Sequence, residues 1–225
     1  MIDEFNEDLK HEIIVVIDPM CSWCWGFSPA LTEMAETYQD QAPVWLMAGG
    51  LRPLTEKPMN DDAKAEIRHH WEDVHEVSGQ PFDFSFFERN GFVYDTEPAC
   101  RALVAMRRIK PEAAPHYLAT MHQAFYAQNR DITNETILSD LAANEGVNKN
   151  DFIRVFSSRQ TIYRTAGDFH RAHAMGARGF PTVVLRTGEK LELLCAGFRP
   201  FDQLKPAIDQ WLAMAPARQV EDAPQ

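Results

Sequence analysis

The run Ile13-Ile14-Val15-Val16-Ile17, closed by Asp18-Pro19 and followed at once by Cys21-Ser22-Trp23-Cys24, restricts the fold more than any other feature of this chain. A β-branched apolar run without alternation suits a central strand buried on both faces. From Cys21 to about Tyr38, Phe27, Leu31, Met34 and Ala35 recur at three- and four-residue spacing, so the cysteine pair opens a helix. Pro43 to Ala48 reads as a second strand, and strand, helix and strand in this short span make a βαβ unit.

After Gly49-Gly50 the pattern turns helical. Helices are expected at Asp61 to Val77, Glu97 to Ile109, Glu112 to Gln128, Glu135 to Asn144 and from Asp151 onward, with Thr96 and Thr133 as N-caps. Strands return at Thr182 to Leu185 and Leu191 to Cys195 around a turn at Thr187-Gly188, and a helix follows from Phe201 to Met214. The expected organisation is an α/β domain made of residues 1–50 and 170–215, interrupted by a helical insertion domain at 51–169. The polar residues 216–225 are expected to form a disordered tail.

A net charge of −11 argues against a nucleic-acid partner, because such binding is driven by Lys and Arg displacing counterions. No apolar run approaches the roughly 20 residues of a membrane span. Met1 to His11 carries Asp3, Glu4, Glu7 and Asp8 and neither a basic nor an apolar leader segment, so, taken as the protein's start, it implies a cytoplasmic setting. Thiols there are kept reduced, and a cysteine pair is more often reactive than structural.

Thiol-disulfide exchange needs one thiolate to attack and a second thiol close enough to resolve the mixed disulfide. A Cys-x-x-Cys at a helix start supplies both: the unpaired amides and positive dipole end favour the first thiolate, and the second cysteine lies one turn on. Cys21 is therefore the expected nucleophile and Cys24 the resolver. Half of a zinc site is the alternative, but Cys100 and Cys195 lie far apart and form no second pair. No metal is expected.

In Cys21-Ser22-Trp23-Cys24-Trp25-Gly26-Phe27-Ser28-Pro29-Ala30-Leu31 the spacing of Pro29 and Leu31 from the first cysteine resembles the thioredoxin active-site helix. Gly176-Ala177-Arg178-Gly179-Phe180-Pro181-Thr182 is similar to that superfamily's cis-proline loop, and Gly197-Phe198-Arg199-Pro200-Phe201-Asp202-Gln203-Leu204 resembles its last strand-to-helix turn. With a helical block between the second and third strands, the chain resembles the DsbA family. Asp18-Pro19-Met20-Cys21-Ser22-Trp23-Cys24-Trp25-Gly26-Phe27 and Glu97-Pro98-Ala99-Cys100-Arg101-Ala102 look like its cytoplasmic FrnE-like branch. The resemblance implies an α/β thioredoxin-like fold with a large all-helical insertion between the second and third strands. It also implies a cis Pro181 against Cys21 and a free Phe180 backbone for an extended substrate. An ordinary trans proline opening a strand is the alternative.

Two departures limit the transfer. Thioredoxin and DsbA bury an acid where this chain has Val15, which leaves Asp18 as the nearest substitute proton relay, although Asp before proline is also an ordinary turn residue. The Ser22-Trp23 dipeptide matches neither relative, so redox strength does not carry over. Trp23 is expected to be exposed for apolar substrate contact and Phe27 to lie in the core. Cys100 and Cys195 read as buried small hydrophobes, with Cys100 placed to face the redox pair. His69, His70 and His75 share no helical face and read as solvated, and His170 and His173 precede the proline loop without an evident partner.

The leading functional expectation is a thiol-disulfide oxidoreductase, reading as a protein-disulfide isomerase, with no bound cofactor. Its partners are protein or small-molecule thiols and disulfides and a recycling reductase or oxidase. The alternatives are a glutathione-dependent isomerase or transferase of the same fold, with glutathione as co-substrate, and a client-binding adaptor for a ClpXP protease.

Overall fold

The computed structural model describes residues 11–214; the acidic N-terminal run before His11 and the tail expected at 216–225 lie outside the described residues. Strand β1 (His11–Ile17) is followed by helix α1 (Ser22–Tyr38) and strand β2 (Val44–Ala48). Six helices come next: α2 (Asp61–Ser78), α3 (Glu97–Ile109), α4 (Ala114–His122), α5 (Glu135–Asn144), α6 (Lys149–Phe156) and α7 (Arg159–Ala174). The hairpin β3 (Thr182–Thr187) and β4 (Lys190–Ala196) and helix α8 (Phe201–Met214) complete the chain. The fold is therefore α/β and thioredoxin-like, with its helical block between the second and third strands.

The sheet order is β2-β1-β3-β4, with β1 parallel to β2 and antiparallel to β3. The unbroken apolar run explains the central place of β1, since its two faces bury different cores. Ile13, Val15 and Ile17 join the core with α1 and α8, while Ile14 and Val16 pack with Ala172, Ala177 and Val184 on the side of α7. Register partners Glu12 and Arg186 form a buried ion pair at 3.0 Å across β1 and β3.

The helical block folds back onto the sheet unit. Asp168 of α7, wholly buried, accepts from Ala48 N at 3.0 Å and pairs with Arg107 of α3 at 2.9 Å and Arg171 at 2.6 Å. Arg107 also donates to Leu46 O. Helix α2 approaches α1 so closely that a Cβ on Gly26 would stand 2.9 Å from Val74 Cγ1. Trp71 of α2 centres an aromatic cluster, with ring centroids 5.0 Å from Phe86, 4.9 Å from Phe87 and 5.1 Å from Tyr126.

Local details differ from the sequence expectation. The α5 cap is Asn134, whose side chain accepts from Thr136 N and Ile137 N, rather than Thr133, whose own hydroxyl turns to Asp131. Thr96 stands at the start of α3 but caps nothing, because its Oγ1 accepts from Arg52 N at 3.1 Å. The helix expected from Glu112 to Gln128 starts as a 3-10 turn, Pro111–Ala113, and widens into a π turn, Gln123–Ala127, where Phe125 and Tyr126 are both buried.

Candidate active site

Asp18 to Met20 turn the chain out of β1, and Asp18 O accepts from Cys21 N at 3.0 Å. Cys21 is the N-cap position of α1, its carbonyl accepting from Cys24 N at 2.9 Å and Trp25 N at 3.1 Å. The two cysteines thus share the first turn. Cys21 is 6% exposed and Cys24 1%, both as free thiols. Burial first, then the hydrogen bond and charge of Cys21, push the Cys24 thiol well above the usual range.

The Phe180-Pro181 bond is cis, and the Cys21 thiol donates to Phe180 O at 3.4 Å. That carbonyl is therefore engaged by the cysteine in this state, against the expectation of a wholly free Phe180 backbone. Gly49, next to β2, makes room for the Phe180 ring: a Cβ there would lie 2.3 Å from its carbons. Trp23 is half-buried rather than exposed, its ring centroid 6.2 Å from Phe198. Phe27 lies in the core as expected, and Trp25 beside it stacks on Tyr126 and donates to Pro81 O at 3.1 Å.

Beneath the pair lies a buried polar cluster. Asp18 is wholly inaccessible; Oδ1 accepts from Met20 N at 2.8 Å, and Oδ2 from Leu51 N at 2.6 Å and the Cys100 thiol at 3.3 Å. Burial outweighs these donors and raises its pKa above the ordinary aspartate value of 3.8. The Asp18 turn is thus at once the strand stop and a buried acid. Cys100 is pushed well up by burial and then by Asp18. On the far side, Ser28 Oγ donates to Cys24 O at 3.4 Å and lies 2.8 Å from His122 Nδ1, and burial depresses His122 to about 3.

A cleft of about 240 Å³ opens over Cys21. Its walls include Trp23, Leu51, Arg52, Trp71, Tyr94 and Phe180, with His70 also on its lining. Of the histidines that read as solvated, His69 and His75 are exposed and away from it. His170 and His173 are exposed on α7 and do not line it either. Cys195 is buried and donates to Gly197 O at 3.1 Å. Among the described residues no group of three or more His, Cys, Asp or Glu is placed to hold a metal ion, and no helix is long and apolar enough to cross a membrane.

Arg52, Tyr94 and His122 went unseen in the sequence. Each reaches the site through a contact distant along the chain, such as Tyr94 Oη donating to Met20 O at 2.6 Å, and none carries a local motif. The one available signal was Glu97-Pro98-Ala99-Cys100, which pointed an insert helix at the redox pair.

A two-cysteine helix start facing a cis-proline loop, on a thioredoxin-like sheet, defines the DsbA-like class of thiol-disulfide oxidoreductase folds. The chain belongs to the DSBA-like thioredoxin domain family, whose model matches residues 12–209. A solved structure from Nitrosomonas europaea, described as a candidate protein disulfide isomerase, is 38% identical with a TM-score of 0.86, covering 91% of this chain and 98% of that one. The cytosolic disulfide reductase DsbM from Pseudomonas aeruginosa is 25% identical with a TM-score of 0.75, covering 91% and 100%, and has also been solved with GSH. Among curated relatives, the ClpXP adapter protein SpxH of Halalkalibacterium halodurans is 22% identical over 92% of this chain and 70% of its own length.

Proposed function

We propose that the chain is a dithiol-disulfide oxidoreductase in which Cys21 attacks and Cys24 resolves. The Cys21 thiol gives up its proton, its sulfur bonds to one sulfur of a substrate disulfide, and the other sulfur leaves with the S–S electron pair and takes up a proton. Cys24, its proton passing to Asp18, then attacks Cys21 and releases the second substrate thiol. Two electrons move from the cysteine pair to the substrate, and the reverse sequence oxidises a dithiol. A recycling reductase or oxidase restores the pair.

The observation that carries this reading is the 3.4 Å contact from Cys21 Sγ to Phe180 O, which sets the first cysteine against the loop that borders the substrate approach. Trp23 and the Phe180-Pro181 segment flank that approach and are assigned to substrate binding. Substrates are protein or small-molecule disulfides, with glutathione as an exchanging thiol; the DsbM neighbour solved with GSH supports the small-thiol class, and its description as cytosolic supports a cytoplasmic setting. Purified protein is expected to reduce insulin with dithiothreitol as electron donor and to lose that activity as Cys21→Ser. Full activity of Cys21→Ser contradicts the mechanism.

The SpxH relatives favour a second reading, a client-binding adaptor. Client capture that survives Cys21→Ser/Cys24→Ser selects the adaptor. Capture that depends on Cys21 and becomes covalent only in Cys24→Ser selects the enzyme.

A further inference from the structure

In a chain of net charge −11, the cleft over Cys21 has no carboxylate on its lining. It has Arg52 and His70 instead. Arg52 is held firmly at its backbone: its N–H donates to Thr96 Oγ1 at 3.1 Å, and its carbonyl accepts from Thr96 N at 3.2 Å and Thr55 Oγ1 at 3.0 Å. Its guanidinium carbon lies 5.5 Å from the Tyr94 ring centroid. No carboxylate among the described residues forms an ion pair with it. The surrounding wall is apolar, from Met20, Leu51, Ile67 and Trp71, which strengthens a charge contact made there.

We infer that Arg52 is a carboxylate-recognition residue, and that the cleft selects disulfides whose thiol half carries a carboxylate close to the sulfur. The inference rests on the dithiol reading and names its substrate class. A volume of about 240 Å³ takes a side-chain-sized group rather than a drug-sized one, so the recognised unit is one thiol-bearing residue and its acid. The planar guanidinium suits a carboxylate, and the His70 ring offers an N–H donor on the same lining. The protein's overall negative field repels anions, so a preference for an anionic disulfide has to arise locally.

The test is a single-turnover reaction of pre-reduced full-length protein with three probes: 3,3′-dithiodipropionate, bis(2-hydroxyethyl) disulfide and cystamine, which are anionic, neutral and cationic. Oxidised protein, in which Cys21 and Cys24 are joined and two probe thiols are released, is acid-quenched and weighed intact. Differences in leaving group cancel when each variant is compared with wild type. So does any effect of Arg52 on Cys21 itself, since it scales all three probes alike. The anionic-to-cationic rate ratio is expected to fall about tenfold in Arg52→Ala, to fall further in Arg52→Glu and to hold in Arg52→Lys within a few-fold. Raised salt screens the protein's overall negative field before a contact inside the cleft, so the effect of Arg52→Ala on the ratio should persist as salt is raised.

Cysteine peptides flanked by Glu or Lys, presented as mixed disulfides, distinguish the source of the acid. A Glu preference lost in Arg52→Ala extends the recognition to protein clients, and its absence confines it to small thiols. A probe ratio unmoved in both Arg52→Ala and Arg52→Glu, with urea midpoints like wild type, overturns the inference and leaves the oxidoreductase reading standing. No turnover of any probe, with insulin also left unreduced, overturns both.

Discussion

Cys100 on α3 donates its thiol to Asp18 Oδ2 across 3.3 Å, joining the helical block to the acid that stands just ahead of Cys21. Asp18 in turn holds Leu51 N at 2.6 Å and Met20 N at 2.8 Å, so one buried carboxylate ties the strand end, the segment after β2 and the insert. In the proposed mechanism this acid takes the Cys24 proton. General base catalysis typically contributes 10²-fold or more. Asp18→Asn is therefore expected to slow the resolving step about 10²-fold while leaving the first attack within a few-fold. Rapid quench of the mixed disulfide separates the two steps.

Two buried groups near the pair give opposite pH dependences of stability. Asp18 has a raised folded pKa, so the folded state binds more protons above the unfolded value of 3.8. Its stabilising contribution is complete below 3.8 and is lost as pH rises through the higher folded value. His122 is depressed from 6.5 to about 3, so its contribution is present above 6.5 and is lost as pH falls towards 3. The slope reaches at most about 1.4 kcal/mol per pH unit for one proton. Urea midpoints of reduced wild type should fall relative to His122→Gln below 6.5, and relative to Asp18→Asn as pH climbs above 3.8.

The space for Phe180 depends on Gly49. An added methyl would sit 2.3 Å from the ring and displace the residue whose carbonyl accepts from Cys21. Gly49→Ala is expected to cost about 1–3 kcal/mol in urea denaturation and to slow the first attack. Gly179→Ala, where the methyl meets nothing within 4 Å, should leave stability within about 0.5 kcal/mol.

The sequence made the site's skeleton readable because its signals are local. Ile13 to Ile17 declared a strand buried on both faces, the spacing of Phe27, Leu31 and Met34 declared the helix behind Cys21, and α3 and α5 run between the expected residues. Phe180-Pro181 was readable only through resemblance. What stayed hidden depends on distant partners. Thr96 gives its hydroxyl to Arg52 rather than to its own helix, and the break at Gln123 follows from burying Phe125 and Tyr126 together. Trp23 is half-covered because Phe198 folds beside it. Arg52 and His122 enter the site from segments with no motif, as a contact between α1 and α4 has no signature in either helix alone.

Trp71 is the pivot between the insert core and the cleft, wholly buried yet part of the cleft lining. Its loss removes the ring against which Phe86, Phe87 and Tyr126 pack. Trp71→Ala is expected to destabilise the protein by about 3–5 kcal/mol, read as a lowered urea midpoint.

The division of labour between the two cysteines is tested most directly by intact-mass analysis of Cys21→Ser and Cys24→Ser after reaction with a disulfide. Cys24→Ser should accumulate a stable mixed disulfide on Cys21, and Cys21→Ser should remain unmodified over the same interval, since Cys24 is nearly inaccessible and its thiol is held well above the usual range. A stable adduct on Cys24 in Cys21→Ser, with none on Cys21 in Cys24→Ser, contradicts the account.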